Sequence, residues 1–214
     1  MPEEISPYVF IYLKSFFLGI IQGFTEFLPI SSTAHLKVVP YFLGWNDPGV
    51  SFSASIQLGS AVAIIYYFRD QISSIIVSFF LNFNQRKVFK DDNTRLATFI
   101  FIANIPICIL GFFIKLYWPY FSDSNLRGLF SIAITSIFMG SFLALSEIYG
   151  KRKKQLNDIN LKDIMFLGLA QSLAVIPGVS RSGITLTSAL FSGIERKTAA
   201  RLSFLVGIPA ISIS

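Results

Sequence analysis

Long apolar runs separated by short polar connectors extend along most of the chain. Three of these runs, 50–68, 96–117 and 126–148, are long enough to cross a bilayer as a helix, which takes about 20 apolar residues. A fourth apolar run begins near Thr198 and continues to the last residue, Ser214. The pattern predicts an all-α membrane protein.

One shorter apolar stretch and two interrupted ones occupy the rest of the chain. Residues 70–83 are too few to span, so we expect a helix at the membrane interface, followed by a solvated loop at 84–95. Residues 8–44 and 160–192 each contain an apolar helix, a break rich in proline and serine, and a short apolar return. We interpret each as a re-entrant hairpin of two half-length helices.

The two hairpin sequences resemble each other. LGIIQGFTEFLPISST and LGLAQSLAVIPGVSRS share Leu-Gly-x-x-Gln, then an apolar residue before proline, then serine. A single offset pairs Pro29 with Pro177 and Ser32 with Ser180. Since three predicted spans separate the hairpins, they enter from opposite faces, which is the inverted-repeat pattern that places a polar site near the bilayer midplane.

The repeats also predict the domain organisation. We expect a single integral membrane domain over 1–214, with repeat one at about 1–148 and the start of repeat two at about 149–214. The second copy ends after its first full span, so we expect that the C-terminal part of repeat two is missing from this chain.

Charge is scarce and unevenly placed. Only 14% of the residues are charged and 53% are hydrophobic, whereas a soluble domain is about a quarter charged. The net charge of +6 does not indicate a nucleic-acid partner, because the basic residues lie in short connectors between apolar runs. Connectors 69–95 and 149–162 are basic, whereas 118–125 has no lysine or arginine. The positive-inside rule therefore places the two basic connectors in the cytoplasm, and 118–125 with the acidic N-terminus outside.

Neither a cysteine-based site nor a cleaved signal peptide is expected. Cys108, the single cysteine, lies in an apolar run, which argues against a disulfide framework and a cysteine metal site. The first apolar segment follows Glu3 and Glu4, without a basic n-region or a small-residue cleavage site, so we expect no signal peptide.

Three ionisable side chains are predicted to lie at membrane depth: Glu26, His35 and Arg181. Such groups are costly in lipid and are usually functional. The lone histidine has an ordinary interpretation as a satisfied polar group, but it follows a buried glutamate in a loop rich in serine and threonine. Arg181 requires an anion, either a protein carboxylate or a ligand phosphate.

The residues around these three combine structural and functional signals. Ser31, Ser32 and Thr33 are typical of helix capping after a proline, and Gly178 and Gly183 are typical of turns. Half-helix N-termini after each proline would also direct free N–H groups and a positive dipole end at a ligand. The set therefore predicts an anion site.

Within that site the side chains suggest separate tasks. Arg181 offers a fork suited to phosphate oxygens. Glu26 cannot bind phosphate directly, so we expect it to hold a metal ion, orient a base or move a proton. Gln22, four residues earlier on the same helical face, is placed to share a cation with Glu26. Ser32 is a candidate nucleophile and His35 a candidate base or acid.

At these residues the sequence resembles the undecaprenyl-diphosphatase family, of the bacitracin-resistance type. Its two signature regions are similar to GIIQGFTEFLPISSTAHL and IPGVSRSGITL, and the resemblance continues through FSASIQLGSAVAIIYYFR and RLSFLVGIPA, so it covers most of the chain. The family pattern of glutamate or glutamine, followed four residues later by glutamate, falls on Gln22 and Glu26, here in its glutamine form. Ala34 stands where the family more often has glycine. The other matching residues are Pro29, Ser31, Ser32, Thr33, His35, Pro177, Gly178, Ser180, Arg181, Ser182 and Gly183.

The resemblance implies hydrolysis of undecaprenyl diphosphate to undecaprenyl phosphate and inorganic phosphate. This reaction recycles the lipid carrier for peptidoglycan and other envelope polymers and confers bacitracin resistance, because bacitracin competes for the substrate. The resemblance also implies a divalent cation, Mg²⁺ or Ca²⁺, with Gln22 and Glu26 as its ligands, and a multi-pass position in the bacterial inner membrane with the site open to the periplasmic or outer side. A homodimer stays open. We expect catalytic roles for Glu26, Ser32, His35 and Arg181, and substrate binding by Gln22, Ser31, Thr33, Gly178, Ser180, Ser182 and Gly183.

Two other functions fit parts of the pattern. An acid-phosphatase-like lipid phosphatase catalyses the same reaction with two histidines, whereas this chain has one. A polyprenyl-phosphate flippase or transporter would share the inverted repeats and broken helices, but a carrier needs no nucleophile. The cluster of serine, threonine, histidine and glutamate opposite an arginine favours hydrolysis.

Overall fold

The computed structural model describes residues 7–83, 91–121 and 124–213. The described residues form an all-α fold, without a named strand. Its helices are α1 (Pro7–Phe27), α2 (Ser32–Phe42), α3 (Gly49–Tyr67), α4 (Arg69–Phe83), α5 (Asp92–Tyr117), α6 (Leu129–Tyr149), α7 (Leu161–Ser172), α8 (Arg181–Phe191) and α9 (Arg196–Ile213).

Four of these helices, α1, α3, α5 and α6, are long and apolar enough to cross a membrane. Between 11% and 17% of their most hydrophobic stretches is buried inside the protein, so their outer faces are covered with exposed apolar side chains such as Phe16, Tyr66, Phe101 and Ile137. Such surfaces are stable in lipid and not in water. The chain is a multi-pass, all-α membrane protein, as the sequence predicted.

The first hairpin region departs from the prediction of two half-length helices. Helix α1 has 21 residues, because no proline interrupts its apolar run before Pro29, and it is long enough to span. Helix α2 has 11 residues and begins after a break in which Ser31 adopts a positive φ of 63° and caps the helix. The region is therefore one full-length helix followed by one short helix.

The second hairpin region has the expected short elements. Helix α7 has 12 residues and ends in a 3₁₀ turn at Leu173–Val175, and α8 has 11 residues. Ser180 caps α8 as Ser31 caps α2, so the first helical residue is Arg181 in one case and Ser32 in the other. The predicted pairing of Ser32 with Ser180 is wrong by one residue, because the second break is one residue longer between its proline and its cap.

The polar connectors also differ slightly from expectation. Helix α4 covers the whole predicted interfacial stretch and packs on α5. Helix α5 begins at Asp92, before the predicted span, because the Asp91 side chain accepts a hydrogen bond from the Thr94 N–H at 2.8 Å and caps it. Residues 92–95 of the predicted loop are thus helical, and 84–90 lie outside the described residues.

The core lies where α5, α7, α8 and α9 pack together. Most of α8 is buried, and its first residues are thereby held in the interior. Gly168 of α7 lies against the Ala103 backbone of α5, where an added Cβ would be 2.7 Å from the carbonyl oxygen. A buried amide pair adds polar contacts, since Asn104 Nδ2 donates to the Val206 carbonyl at 3.1 Å and Gln171 Nε2 donates to Asn104 Oδ1 at 3.2 Å.

Other polar contacts between elements lie at two ends of the molecule. At one end, Arg196 pairs with Glu147, Lys154 pairs with Asp163 at 2.8 Å, and Arg95 donates to Asn157 at 3.0 Å. These contacts bring together the ends of α5 and α6, the connector after α6 and the start of α9. Arg95, Lys154 and Asn157 belong to the two connectors that are basic in the sequence, 69–95 and 149–162.

At the other end, Lys37 of α2 donates to the Arg127 carbonyl at 2.7 Å and pairs with Asp47 at 3.2 Å. Burial opposes ionisation of Asp47, but hydrogen bonds from the Gly49 N–H and from Lys37 outweigh it, so the pKa of Asp47 is held below its usual value. This end joins the loop after α2 to the turn before α6.

Candidate active site

The two proline-containing breaks meet inside the protein. Ser182, in the first turn of α8, lies with its hydroxyl 3.3 Å from the Glu26 carbonyl and 3.2 Å from the Leu28 carbonyl, to which it can donate. Gly183 lies beside the same break, because an added Cβ would be 3.4 Å from the Pro29 carbonyl oxygen. The start of α8 is thus packed against the end of α1.

Glu26 is the centre of the contacts at this junction. One carboxylate oxygen accepts from the Ser32 hydroxyl at 2.8 Å and from Gln22 Nε2 at 3.0 Å. The other accepts from the Arg181 guanidinium at 3.2 Å. Its side chain is 6% exposed, so its charge is almost fully withdrawn from solvent and is satisfied by these partners.

Arg181 reaches Glu26 from the first turn of α8. Its guanidinium also donates to the Ser203 carbonyl of α9 at 3.4 Å, and its buried Nε has no hydrogen-bond partner in the described structure. Gly207 leaves room for this group, since an added Cβ would overlap the guanidinium at 1.6 Å. Arg181 is therefore a buried cation with donor capacity that the protein does not use fully.

The serine and threonine residues after Pro29 have distinct positions. Ser31 is buried and caps α2, accepting from the Ala34 N–H at 3.4 Å. Ser32 follows it at the first helical position and directs its hydroxyl at Glu26. Thr33 is the next residue and lines the same cavity as Ser32.

The second break has a comparable arrangement. Ser180 accepts from the Gly183 N–H at 3.1 Å and lies 3.2 Å from the Ser182 hydroxyl. Gly178 has a φ of +95°, and an added Cβ would be 2.8 Å from the Ile132 carbonyl oxygen of α6, so both its conformation and its close packing require glycine. The first turn of α8 is held in place from two sides.

These groups open onto a cavity of about 560 Å³. Of the predicted site residues, those that line it are Glu26, Ser31, Ser32, Thr33, Ser180, Arg181 and Ser182. Gln22 is buried behind Glu26, and Gly178 and Gly183 support the breaks without lining the cavity. Apolar residues of α5 and α9, including Ile107, Phe112 and Ile211, supply much of the rest of the wall. A polar end joined to an apolar wall suits an amphipathic lipid ligand.

Several cavity residues were not predicted from the sequence, among them Gln57, Cys108 and Lys115. Each of these three lies within or at the end of a predicted span, where no local pattern marks it as functional. Lys115, in the last turn of α5, is the one whose charge matters for an anionic ligand. The sequence shows a lysine near the end of a predicted span. It does not show that this lysine lines a cavity, because the cavity is formed by the packing of α1, α5, α8 and α9.

His35 does not line this cavity. Its Nδ1 lies 2.9 Å from the Ser31 carbonyl oxygen, which can only accept, so Nδ1 is the donor in this hydrogen bond. The hydrogen bond holds the carbonyl of Ser31, the residue with positive φ. Glu26 and not His35 is the group in contact with Ser32.

The residue set does not by itself form a metal cage. Within the described ranges there is no cluster of three or more histidine, cysteine, aspartate or glutamate side chains. Both carboxylate oxygens of Glu26 already accept hydrogen bonds, one of them from the Arg181 guanidinium, and Gln22 directs its amide N–H at the same carboxylate. Since Mg²⁺ is commonly held by one or two carboxylates together with substrate phosphates, the described residues do not fit a cation bound by the protein alone.

The fold and the site define a helical, multi-pass membrane protein in which two broken segments bring a carboxylate, a serine and an arginine to one cavity with an apolar wall. The model of the family described as bacitracin resistance protein BacA matches residues 15–214. The chain belongs to this family.

Several close relatives share one name with each other. A protein named undecaprenyl-diphosphatase from Prochlorococcus marinus (strain NATL1A) is 79% identical over the whole of this chain, which covers 77% of that relative. Proteins of the same name from Synechococcus sp. (strain CC9311) and Synechococcus elongatus are each 51% identical, over 94% and 92% of this chain and 71% and 68% of their own lengths.

Proposed function

We propose that this chain is an undecaprenyl-diphosphatase, which hydrolyses undecaprenyl diphosphate to undecaprenyl phosphate and inorganic phosphate. The observation that carries the proposal is the contact set of Glu26, which joins Ser32 of one break to Arg181 of the other inside a cavity with an apolar wall. A nucleophile, a base and a phosphate-binding fork thereby meet where a lipid head group can enter. The product monophosphate returns the lipid carrier to peptidoglycan synthesis.

The site residues divide into binding and chemical roles. Arg181, with the N–H groups at the start of α8, binds oxygens of the terminal phosphate, and its unused Nε–H is available for that purpose. Ser31, Thr33, Ser180 and Ser182 orient the head group or the helix starts that face it. The positive groups stabilise charge on the transferred phosphoryl group in the transition state.

Two chemical routes use this geometry. In the first, Ser32 Oγ attacks the terminal phosphorus, its proton passes to Glu26, and the bond to the bridging oxygen breaks with release of undecaprenyl phosphate. Water then hydrolyses the phosphoserine. In the second, a water molecule held by Ser32 and Glu26 attacks the terminal phosphorus and Glu26 takes its proton, while the bond to the bridging oxygen breaks and releases undecaprenyl phosphate and inorganic phosphate. Both routes assign the base to Glu26, because its oxygen lies 2.8 Å from Ser32 Oγ.

His35 has a different task in this proposal from the proton transfer expected from the sequence. Its hydrogen bond to the Ser31 carbonyl supports the strained residue that sets the direction of α2. It is thus a positioning residue for Ser32.

We also propose that a divalent cation, Mg²⁺ or Ca²⁺, accompanies the diphosphate. Glu26 and Gln22 would hold it together with phosphate oxygens of the substrate, because the described residues form no cluster of three or more metal-binding side chains. When bound, the cation would neutralise phosphate charge.

The topology proposal places the site toward the outer side of the bacterial inner membrane. The basic connectors gather at one end with Arg95, Lys154 and Arg196, which the positive-inside rule assigns to the cytoplasm. The opposite end contains Asp47 and the turn before α6. In this arrangement α7 and α8 form a re-entrant hairpin from the cytoplasmic side, and the full-length α1 with the short α2 forms the corresponding segment of the other repeat in a single two-repeat domain.

Two further features of the proposal concern partners. Bacitracin would compete for the lipid diphosphate and not for the protein. The exposed apolar faces of the helices would also allow two copies of the chain to pack as a homodimer.

A flippase would share the cavity and the broken helices, but would not need a serine held by a carboxylate. Release of inorganic phosphate from undecaprenyl diphosphate by the purified chain in detergent decides between them. Glu26→Gln is the control, since it keeps the shape and removes the base. Phosphate release by the wild type and not by Glu26→Gln supports hydrolysis, whereas lipid movement between leaflets of vesicles without phosphate release would support the carrier.

A further inference from the structure

The charges on the cavity wall do not balance the proposed ligand. Among the described residues that line it, the charged side chains are Glu26, Arg181 and Lys115. Glu26 and Arg181 form an ion pair at 3.2 Å, so together they contribute little net charge. A terminal phosphate alone carries a charge of about −1.5 to −2 at neutral pH, and the inner phosphate of a diphosphate adds more. Lys115 is the remaining cation of this wall.

Lys115 has an ordinary explanation that does not account for its surroundings. It lies in the last turn of α5, where a lysine interacts favourably with the helix dipole. However, it lines the cavity, and no described carboxylate lies within ion-pair distance of it. It also lies at the end of the span assigned to the outer side, where the positive-inside rule does not require a cation.

The depth of the cations orders the two phosphates. Arg181 is 12% exposed and is held at the interior junction, whereas Lys115 is exposed. The polyprenyl chain is attached to the inner phosphate and must stay in the bilayer. The terminal phosphate is therefore the end that reaches deepest into the cavity, and the inner phosphate lies behind it. The terminal phosphate then lies at Arg181 and Ser32, and the inner phosphate lies nearer the side of the cavity that Lys115 lines.

We propose that Lys115 binds the inner phosphate, which is the leaving group of the reaction. This rests on the proposed hydrolysis. When the bond to the bridging oxygen breaks, negative charge develops on that phosphate, and a neighbouring ammonium group stabilises it. The product undecaprenyl phosphate keeps the inner phosphate and thus the contact with Lys115, whereas inorganic phosphate carries away the group held by Arg181.

The experiment compares how the two products inhibit the enzyme. Lys115→Met removes the charge and keeps the stem, Lys115→Arg keeps the charge, and Lys14→Met is the control. Lys14 is another lysine near an aromatic cluster, with its ammonium over the Phe10 and Trp45 rings, and it does not line the cavity. Inhibition constants of undecaprenyl phosphate and inorganic phosphate are measured with each purified variant in detergent.

For Lys115→Met we expect the inhibition constant of undecaprenyl phosphate to rise about ten-fold and kcat/KM to fall by a similar factor, the size of one charge-assisted hydrogen bond. The inhibition constant of inorganic phosphate should stay within about two-fold, and Lys115→Arg and Lys14→Met should resemble the wild type. An unchanged constant for undecaprenyl phosphate overturns the assignment, and so does an equal rise for both products, which would indicate a general distortion. If the wild type releases no phosphate, the proposed hydrolysis itself fails.

Discussion

Arg181 donates to Glu26 at 3.2 Å across 155 residues of sequence, and this ion pair joins the two broken segments of the chain. Neither partner is more than 12% exposed. A buried pair of this kind contributes little stability by itself, but loss of one partner leaves an uncompensated charge in the interior. The contact therefore couples the integrity of the fold to the charge that the proposed reaction uses.

Arg181→Lys should reduce activity by about 100-fold, because a point charge loses the fork that contacts Glu26 and phosphate together. The thermal midpoint of unfolding should fall less than for Arg181→Ala, since the charge pair can persist. Phosphate release and thermal unfolding in detergent measure the two effects. Arg196→Lys, at the surface, is the matched control and should keep full activity. Near-normal turnover of Arg181→Lys would remove the bidentate role.

Much of the fold could be predicted because its signals are local. Apolar runs gave α3, α5 and α6, and the prolines with their following serines gave the two breaks. The length of α1 was underestimated because the break rich in proline and serine was taken to divide residues 8–44 into two half-length helices. The shorter path from Pro29 to its cap also displaced the repeat alignment by one residue.

The chemistry could be predicted less completely than the residues. Glu26, Ser32 and Arg181 were recognisable as polar groups in apolar surroundings. Their meeting in one site was predicted, but the individual hydrogen bonds were not, because the Ser32–Glu26 contact depends on the positive φ of Ser31. Lys115 was not predicted, because it lines the cavity only through the packing of the helices. The role of His35 as a base or acid stays a prediction, and the structure adds the hydrogen bond between its Nδ1 and the Ser31 carbonyl, which the sequence did not indicate.

Chelation should separate a cation carried by the substrate from one that resides in the protein. We expect EDTA to lower phosphate release at least about ten-fold and added Mg²⁺ or Ca²⁺ to restore it, since the diphosphate needs charge neutralisation. The thermal midpoint of the substrate-free protein should not move, because the described residues form no cluster of three metal-binding side chains. A large fall in that midpoint on chelation would instead indicate a resident structural metal.

Cysteine labelling tests the orientation in the membrane. Cys108 lines the cavity and is exposed, so it is first replaced by serine. In intact cells, a membrane-impermeant maleimide should label Tyr120→Cys, in the loop after α5, and should leave Lys153→Cys unlabelled until the cells are permeabilised. The reverse pattern would invert the topology and place the basic connectors outside.

Substitutions of His35 distinguish positioning from proton transfer. Asparagine can donate a hydrogen bond from roughly the place of Nδ1, so His35→Asn should keep at least about a tenth of wild-type activity, whereas His35→Ala should lose about 100-fold. Both rates are measured as phosphate release, with thermal unfolding as the check on folding. Equal and complete inactivation of two well-folded variants would return His35 to the role of acid or base.

Ser32→Ala divides the two chemical routes. The Ser32 hydroxyl donates to Glu26 at 2.8 Å, and its removal leaves that carboxylate oxygen with the Gln22 contact, so the site should stay folded. If Ser32 is the nucleophile, phosphate release should fall by more than about 1,000-fold, because no phosphoserine can form. If water attacks directly, the fall should be about ten-fold, the loss of one positioning hydrogen bond.

Serine attack is the outcome that we expect, because the hydroxyl lies at the first residue of α2 with its proton directed at a base. Rapid acid quenching of wild-type protein with substrate labelled in the terminal phosphate should then trap label on the protein, and Ser32→Ala should trap none. Ser31→Ala is the matched control, since it removes a hydroxyl one residue away that caps α2 and does not contact Glu26. Trapped label that survives Ser32→Ala, or near-normal turnover of that variant, would eliminate serine as the nucleophile and leave water activated by Glu26 as the route.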